Sequence, residues 1–414
     1  PGVSYAEDPV ADFHRICSEG VSGKFYTHTL GYGTENIELE IMTGINTRFF
    51  SWDDMIYGWE QEKLLTYPSL PQLFSDAGYY TAYLHTFNDG IYNRTALYTA
   101  LGFQDMYFSG DFAAIDPEAA AAPDYWSYMY GKIAGEFYSD DYLADVTAEL
   151  FDQKAGEGPV FLWAVTMENH TPYTADKFSS YDFPFESDLG DEAVGVLNAV
   201  TQGVADCSEA LGKLVDHLAA QDEPVIVVFF GDHRPGTPLE SGATVYSELG
   251  MCPANVADWE LEDYAELYST DYVIWSNDPS LLPAEPGSRM NTSSTLLGVE
   301  ALQMAGMDLD EYWSMCAVVD TVSDGWTWNF FVPQDGEPCF SPFTGLDEEG
   351  LDIIQAMRVF MNSTFYGTDG PGFRDIFAGE DLIRKLLEFR TIANIRQWMI
   401  NILTIFATKA REKK

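Results

Sequence analysis

The sequence predicts an α/β fold: a central, mainly parallel sheet with helices on both faces, in a three-layer α/β/α arrangement. Two observations carry this. "PVFLWAVT" (159–166) and "PVIVVFF" (224–230) are apolar runs without polar interruption, the pattern of strands covered on both faces. Between them, residues 191–221 have helical composition and spacing, long enough for the crossover that parallel strands require. With 414 residues, 46% hydrophobic and 15% aromatic, the chain can fill one large domain and a smaller appendage.

The remaining elements follow in chain order. Asp8-Pro9 and the apolar spacing up to Gly20 predict a short capped helix with proline at its first position. "GKFYTHT" reads as a strand, "SLPQLFSDAG" (69–78) as a capped helix, and "YYTAYLH" (79–85) as the strand after it. "DYVIWSN" (271–277) is a further strand, and "PEAAAAP" (117–123) reads as a surface loop or insertion. No internal repeat is visible.

Charge bounds the partners. A formal net charge of -45 argues against nucleic acid, which is bound by clustered Lys and Arg. The imbalance is uneven: residues 382–414 hold eight of the 21 bases and only two acids. Ile392, Ile395, Met399, Ile402 and Phe406 recur there at helical steps, predicting a basic amphipathic tail that packs on the body or a partner, or meets a membrane surface. The five cysteines show no metal-finger spacing, and their odd number leaves the redox compartment open. No window reaches the roughly 18 apolar residues of a membrane span. "PGVSYAEDP" has neither a methionine nor a signal peptide, so the chain reads as a fragment or a processed product.

Polar residues follow each buried strand at once, and in open α/β sheets ligands bind outside the carboxyl ends of strands. Asp232 and His233 follow "VIVVFFG" and suit a shared divalent cation, or a plain polar turn. His170, in "TMENHTPY", suits a general acid or a phosphate contact, or a cap before Pro172. Arg94 would match an anionic phosphoryl group, or pair with one of 66 acids; His85 ends its strand. Thr34, in "GYGTENIELEIMTG", sits between a glycine turn and a helical run. Its hydroxyl could hold a phosphoryl oxygen at the helix start, or be an ordinary N-cap. Glu35 suits the positive helix start, while Glu38 and Glu40 are read as positioning the turn or facing solvent.

Together, "GYGTENIELEIMTG", "LHTFNDGIYNRTALYTALGF", "TMENHTPY", "VFFGDHRPG" and, more loosely, "YSTDYVIWSND" resemble the alkaline phosphatase and sulfatase superfamily. The likeness is greatest to its lipoteichoic acid synthase branch, the sulfatase-like phosphoglycerol transferases of bacteria. It spans about residues 25 to 315 and implies a sulfatase-like catalytic core over 1–315, a C-terminal α+β subdomain over 316–381 and the tail over 382–414. It further implies that Thr34 is nucleophile and metal ligand, that Asp232 and His233 complete a manganese-type site (Mg2+ or Zn2+ being alternatives), and that His170 stands beside the reacting phosphoryl group. Arg94 and His85 match substrate-binding positions. The family's fourth ligand, a glutamate after the first core strand, should precede residue 1; Glu7 lacks a leading apolar strand and does not take its role. No cysteine begins the C-x-P-x-R pattern of formylglycine sulfatases.

The resemblance thus implies transfer of a glycerophosphate-type group from a phospholipid such as phosphatidylglycerol to an envelope glycan or polyglycerolphosphate. The implied location is the outer face of a bacterial membrane, reached through an upstream anchor that offsets the repulsion between an acidic body and anionic lipid. Two rivals are a phosphodiesterase or phosphatase using the same site, and a truncated, non-catalytic binding domain.

Overall fold

The computed structural model describes residues 3–47, 68–90, 92–327, 329–340 and 345–366. The amphipathic tail and the end of the 316–381 segment lie outside the described residues. In chain order the strands are β1 (Val3–Tyr5), β2 (Val21–Tyr26), β3 (Tyr80–His85), β4 (Asp105–Tyr107), β5 (Ile133–Ala134), β6 (Phe137–Tyr138), β7 (Val160–Val165) and β8 (Phe185–Ser187), followed by β9 (Ile226–Phe230), β10 (Ser269–Ser276), β11 (Thr292–Ser293), β12 (Ser323–Trp326) and β13 (Phe331–Pro333).

Two sheets form the centre, one in the order β4-β3-β7 and one in the order β11-β2-β10-β9. The first is parallel throughout, with Tyr80 opposite Val160 and His85 opposite Val165. In the second, β11 is parallel to β2, but β10 runs antiparallel to both β2 and β9. Apolar periodicity reports burial and not direction, so the sequence could not show this reversal. The crossover helix, Asp191–Ala219, links β7 to β9.

Those two strands are the outer members of their sheets among the described residues, and they are only half-buried, although their sequences predict full burial. The two strands lie near one another, with the Trp163 ring 5.8 Å from that of Phe230. An apolar strand with one unpaired edge leaves backbone donors and acceptors without ladder partners on that side.

Local signals account for most helix ends. Ser69 accepts from the Gln72 amide, and Pro71 sits in the first turn of the helix Leu70–Asp76. Two expectations change. The first helix is Ala11–Glu19, because the Asp8 carboxylate accepts from the Val10 amide and closes a turn ahead of it. The stretch read as a loop contains a helix, Pro117–Ala121, whose amides at Glu118 and Ala119 donate to Asp116, so an Asp-Pro start prevails over the low-complexity composition.

The largest core cluster joins Leu39 and Met42 to Trp313, Met357 and Met361. The helix Leu297–Met304 passes so close to the helix Thr34–Thr43 that a Cβ on Gly298 would lie 2.1 Å from the Ile41 carbonyl oxygen. Trp313, fully buried, fills the space beside both Gly298 and Gly44 and so fixes the helix that begins at Thr34. Trp313→Ala should lower stability by about 3–5 kcal/mol through the cavity it leaves. Urea unfolding checks this, and a loss below about 1 kcal/mol would contradict the packing role.

Candidate active site

The site is built on backbone geometry that only glycine adopts easily. Gly31 and Gly33 have φ of 80° and 92°. The Gly31 amide donates to the Arg234 carbonyl at 2.8 Å, and a Cβ on Gly31 would lie 2.7 Å from the Gly236 Cα. Two loops from distant parts of the chain therefore meet backbone to backbone. Gly33 occupies the N-cap position of the helix Thr34–Thr43 and makes no side-chain cap bond. Thr34 is thus not the N-cap, and its side chain is left for another partner.

That partner is the end of β9. The Thr34 hydroxyl donates to Asp232 Oδ2 and lies 3.5 Å from His233 Nε2. His233 Nε2 is also 3.3 Å from Asp232 Oδ2. The other ring nitrogen, Nδ1, is 3.0 Å from the Arg234 carbonyl oxygen and donates to it, which leaves Nε2 as the lone-pair nitrogen facing Thr34. Two oxygens and one imidazole nitrogen converge, a donor set that suits Mn2+, Mg2+ or Zn2+. No three His, Cys, Asp or Glu side chains form such a group among the described residues, so Thr34 is needed as the third donor.

The second part of the site lies at the end of β3. Arg94 opens the helix Arg94–Ala100 after two left-handed residues, Tyr92 and Asn93. It is 3% exposed: Nη2 lies 3.5 Å from Glu38 Oε1, and Nε donates to the Tyr83 hydroxyl at 3.1 Å. The hydroxyls of Tyr83 and Tyr98 both donate to Glu38 Oε2, and their rings stack at 4.2 Å. Burial opposes the Arg94 charge, but Glu38 and the two tyrosines outweigh it and hold the guanidinium protonated. The carboxylate partner left open by the sequence is therefore Glu38.

Of the two alternatives for Glu38 and Glu40, facing solvent is overturned: they are 2% and 1% exposed. Glu40 accepts from the Thr47 amide at 2.8 Å, from the hydroxyls of Thr47 and Ser294, and lies 3.1 Å from His28 Nδ1. It fastens the chain that leaves the helix. Periodicity missed both because it assumes one wet face, whereas every residue from Glu35 to Thr43 is buried.

His85 is 1% exposed, with Nδ1 3.3 Å from the Val165 carbonyl oxygen. Burial first, then the charge of Arg94, push its pKa down to about 3, so the ring is neutral. Its Nε2 meets no hydrogen-bond partner among the described residues. His170 is exposed; its Nδ1 donates to the Thr171 carbonyl at 2.9 Å, and its ring stands edge-on to Phe137. Sequence reasoning also passed over Glu168, two residues before it. This carboxyl is 1% exposed and accepts from the Asp140 amide at 2.6 Å, anchoring the loop that carries His170. Burial, followed by the charges of Asp140 and Asp206, pushes its pKa up to about 9. Its signal was a carboxylate inside the same "TMENHTPY" segment. Glu7 follows β1, which pairs with β8 in a separate two-stranded ribbon, outside both central sheets.

Residues 2–299 match the family model described as Sulfatase, and the chain belongs to the sulfatase family. Among solved structures, the fold is shared with the Streptococcus pyogenes phosphoglycerol transferase GacH in complex with sn-glycerol-1-phosphate (TM-score 0.63, 18% identity, 95% of this chain and 85% of that one). It is shared equally with the lipoteichoic acid synthase LtaP of Listeria monocytogenes (TM-score 0.58, 15% identity, 89% of each chain). These likenesses establish the alkaline phosphatase/sulfatase-like α/β fold. By sequence, the chain is 29% identical over 315 residues to a putative cyclic beta-1,2-glucan modification protein of Rhizobium meliloti, covering 75% of this chain and 44% of that protein. An uncharacterized protein of Haemophilus influenzae is 23% identical over 249 residues, covering 60% and 40%. The chain spans less than half the length of either curated relative.

Two predictions follow from the buried groups. Glu38→Leu, which strands the Arg94 charge, should lower stability by about 3–5 kcal/mol, and adding Arg94→Met should recover much of it. Equal losses in the single and double variants, read by urea unfolding, would contradict the pairing. His85 gives a pH signature: its folded pKa of about 3 lies below the ordinary 6.5. Its contribution is fully present above pH 6.5 and is lost as pH falls toward 3, because only the unfolded chain takes up the proton. Between pH 6.5 and 5 the wild type should therefore lose about 2 kcal/mol more than His85→Gln. Parallel pH profiles would refute the buried neutral ring.

Proposed function

We propose that this chain transfers a glycerophosphate-type group from a phospholipid, such as phosphatidylglycerol, to a hydroxyl of an envelope glycan or related polymer, through a covalent intermediate on Thr34. The convergence of Thr34 Oγ1, Asp232 Oδ2 and His233 Nε2 carries the reading. A threonine hydroxyl bonded to a carboxylate and aimed at an imidazole lone pair has no structural need for that arrangement, since Gly33 already occupies the cap position. The names of the relatives supply the chemical classes: glycerol phosphate from GacH, and a glucan from the Rhizobium meliloti protein.

In the first step Thr34 Oγ1 attacks phosphorus and its proton passes to Asp232, while the bond to the diacylglycerol oxygen breaks. His170 delivers a proton to that leaving oxygen. An acceptor hydroxyl then attacks the phospho-threonine and loses its proton to His170, while the bond from phosphorus to Thr34 Oγ1 breaks and that oxygen takes its proton back from Asp232. Water in place of the acceptor would give the phosphodiesterase outcome. Thr34, Asp232 and His233 would hold a divalent cation, proposed as Mn2+, which would neutralise charge on the phosphoryl oxygens. A further carboxylate ligand would come from a segment outside the described residues. Arg94 and the unpartnered Nε2 of His85 serve the substrate phosphate and its hydroxyls. No described helix is long and apolar enough to cross a membrane. The proposed location is the outer face of a bacterial membrane, with the domain held there by a segment outside these residues.

Intact-mass analysis after incubation with phosphatidylglycerol tests the intermediate. The wild type should gain one glycerophosphoryl group, located on Thr34 by peptide mapping. Thr34→Ala should gain none, and chelation of divalent cations should suppress the adduct. An adduct that persists in Thr34→Ala, or its absence from the metal-loaded full chain, would overturn the reading.

A further inference from the structure

Tyr32 stands between the two left-handed glycines, two residues before Thr34, and is 64% exposed. A large aromatic side chain on so constrained a turn serves neither the core nor the turn. The turn is tied to the segment around the helix Leu261–Leu267 through one residue. The Arg234 carbonyl accepts from the Gly31 amide, while its guanidinium donates to the carbonyls of Glu266 and Ser269 and to Glu266 Oε1 at 2.7 Å. Arg234 thereby ties the turn that carries Tyr32 to the chain on either side of Tyr268.

From Tyr268 the aromatic surface continues. Tyr264 lies 5.9 Å from Tyr268, and Trp259 lies 5.4 Å from Tyr264. Tyr264 and Tyr268 pack one side against the Tyr26 and Phe330 cluster and remain half-exposed on the other. Phe340, 6.3 Å from Tyr264 and 54% exposed, borders the same surface.

We propose that Tyr32, Tyr268, Tyr264 and Trp259 form a saccharide subsite that leads away from the nucleophile turn and seats a neutral glycan with one hydroxyl toward Thr34. Three features fix the class of ligand. The rings carry hydroxyls and an indole, an amphipathic lining that suits the apolar faces and polar rims of sugar rings better than acyl chains. The flank is acidic, with Glu260, Glu262 and Asp263 on the same segment, which repels phosphate and anionic membrane. The two bordering bases, Lys24 and Arg234, are both paired with Glu266, at 2.8 and 2.7 Å. Calling the glycan an acceptor rests on Thr34 as nucleophile; the binding surface itself does not.

Isothermal titration calorimetry with a neutral β-1,2-linked gluco-oligosaccharide tests the subsite. Saturable binding is expected for the wild type and equally for Thr34→Ala, so loss of the covalent adduct and loss of glycan binding remain separate results. Tyr264→Ala and Tyr32→Ala should each weaken binding at least tenfold. The exposure of Tyr32 makes its variant a test that unfolding does not confound, and thermal unfolding of both variants checks this. Unchanged affinity in both variants, or no binding by the wild type, would overturn the proposal. Loss of binding to phosphatidylglycerol vesicles with glycan affinity intact would also overturn it, and would assign the surface to lipid.

Discussion

The backbone contact between Gly31 and Gly236 is the constraint on which the site depends. Thr34 and Asp232 are almost two hundred residues apart, and neither has reactive geometry without the other. The absence of two Cβ atoms lets their loops close to a distance at which one amide reaches one carbonyl. The same Arg234 that accepts this bond also receives the His233 Nδ1 proton and braces the aromatic segment through its guanidinium. The tautomer of His233, the direction of the Thr34 hydroxyl and the placement of Tyr32 thus share one anchor.

Behind that contact lies an unusual concentration of buried charge. The helix starting at Thr34 carries three carboxylates and no exposed face. Burial of this kind is tolerated where charges have partners, and for two of the three the partners are specific: Arg94 with two tyrosine hydroxyls for Glu38, and hydroxyls, an amide and an imidazole for Glu40. Such networks add little net stability over an apolar core, but they fix geometry, because each member satisfies another. The consequence is a rigid platform under Thr34 and a guanidinium whose charge is held by Glu38 rather than left to solvent.

Family membership and fold agree with this picture without deciding the chemistry. The proposed nucleophile is a threonine, and Cys17, Cys207, Cys252 and Cys316 are free thiols. In β7 and β9 the apolar sequence and the observed half-burial disagree, and both are outer strands of their sheets among the described residues.

Much was legible in the residues alone. The polar-free runs of β7 and β9, the crossover helix, and the caps at Ser69 and Gly78 follow from local propensity and periodicity, which depend on near neighbours. Histidines and acids directly after apolar strands marked the candidate site because the ends of β3, β7 and β9 each pass at once into polar residues. Tertiary structure alone decided that β10 runs antiparallel, that Arg94 pairs with Glu38, that His85 is a buried neutral ring, and that Arg234 joins the Gly31 turn to the segment around Tyr268. Each of these is a contact between segments distant in sequence. The order of residues along a chain records which side chains are apolar, but only packing decides which of 66 acids a buried arginine meets.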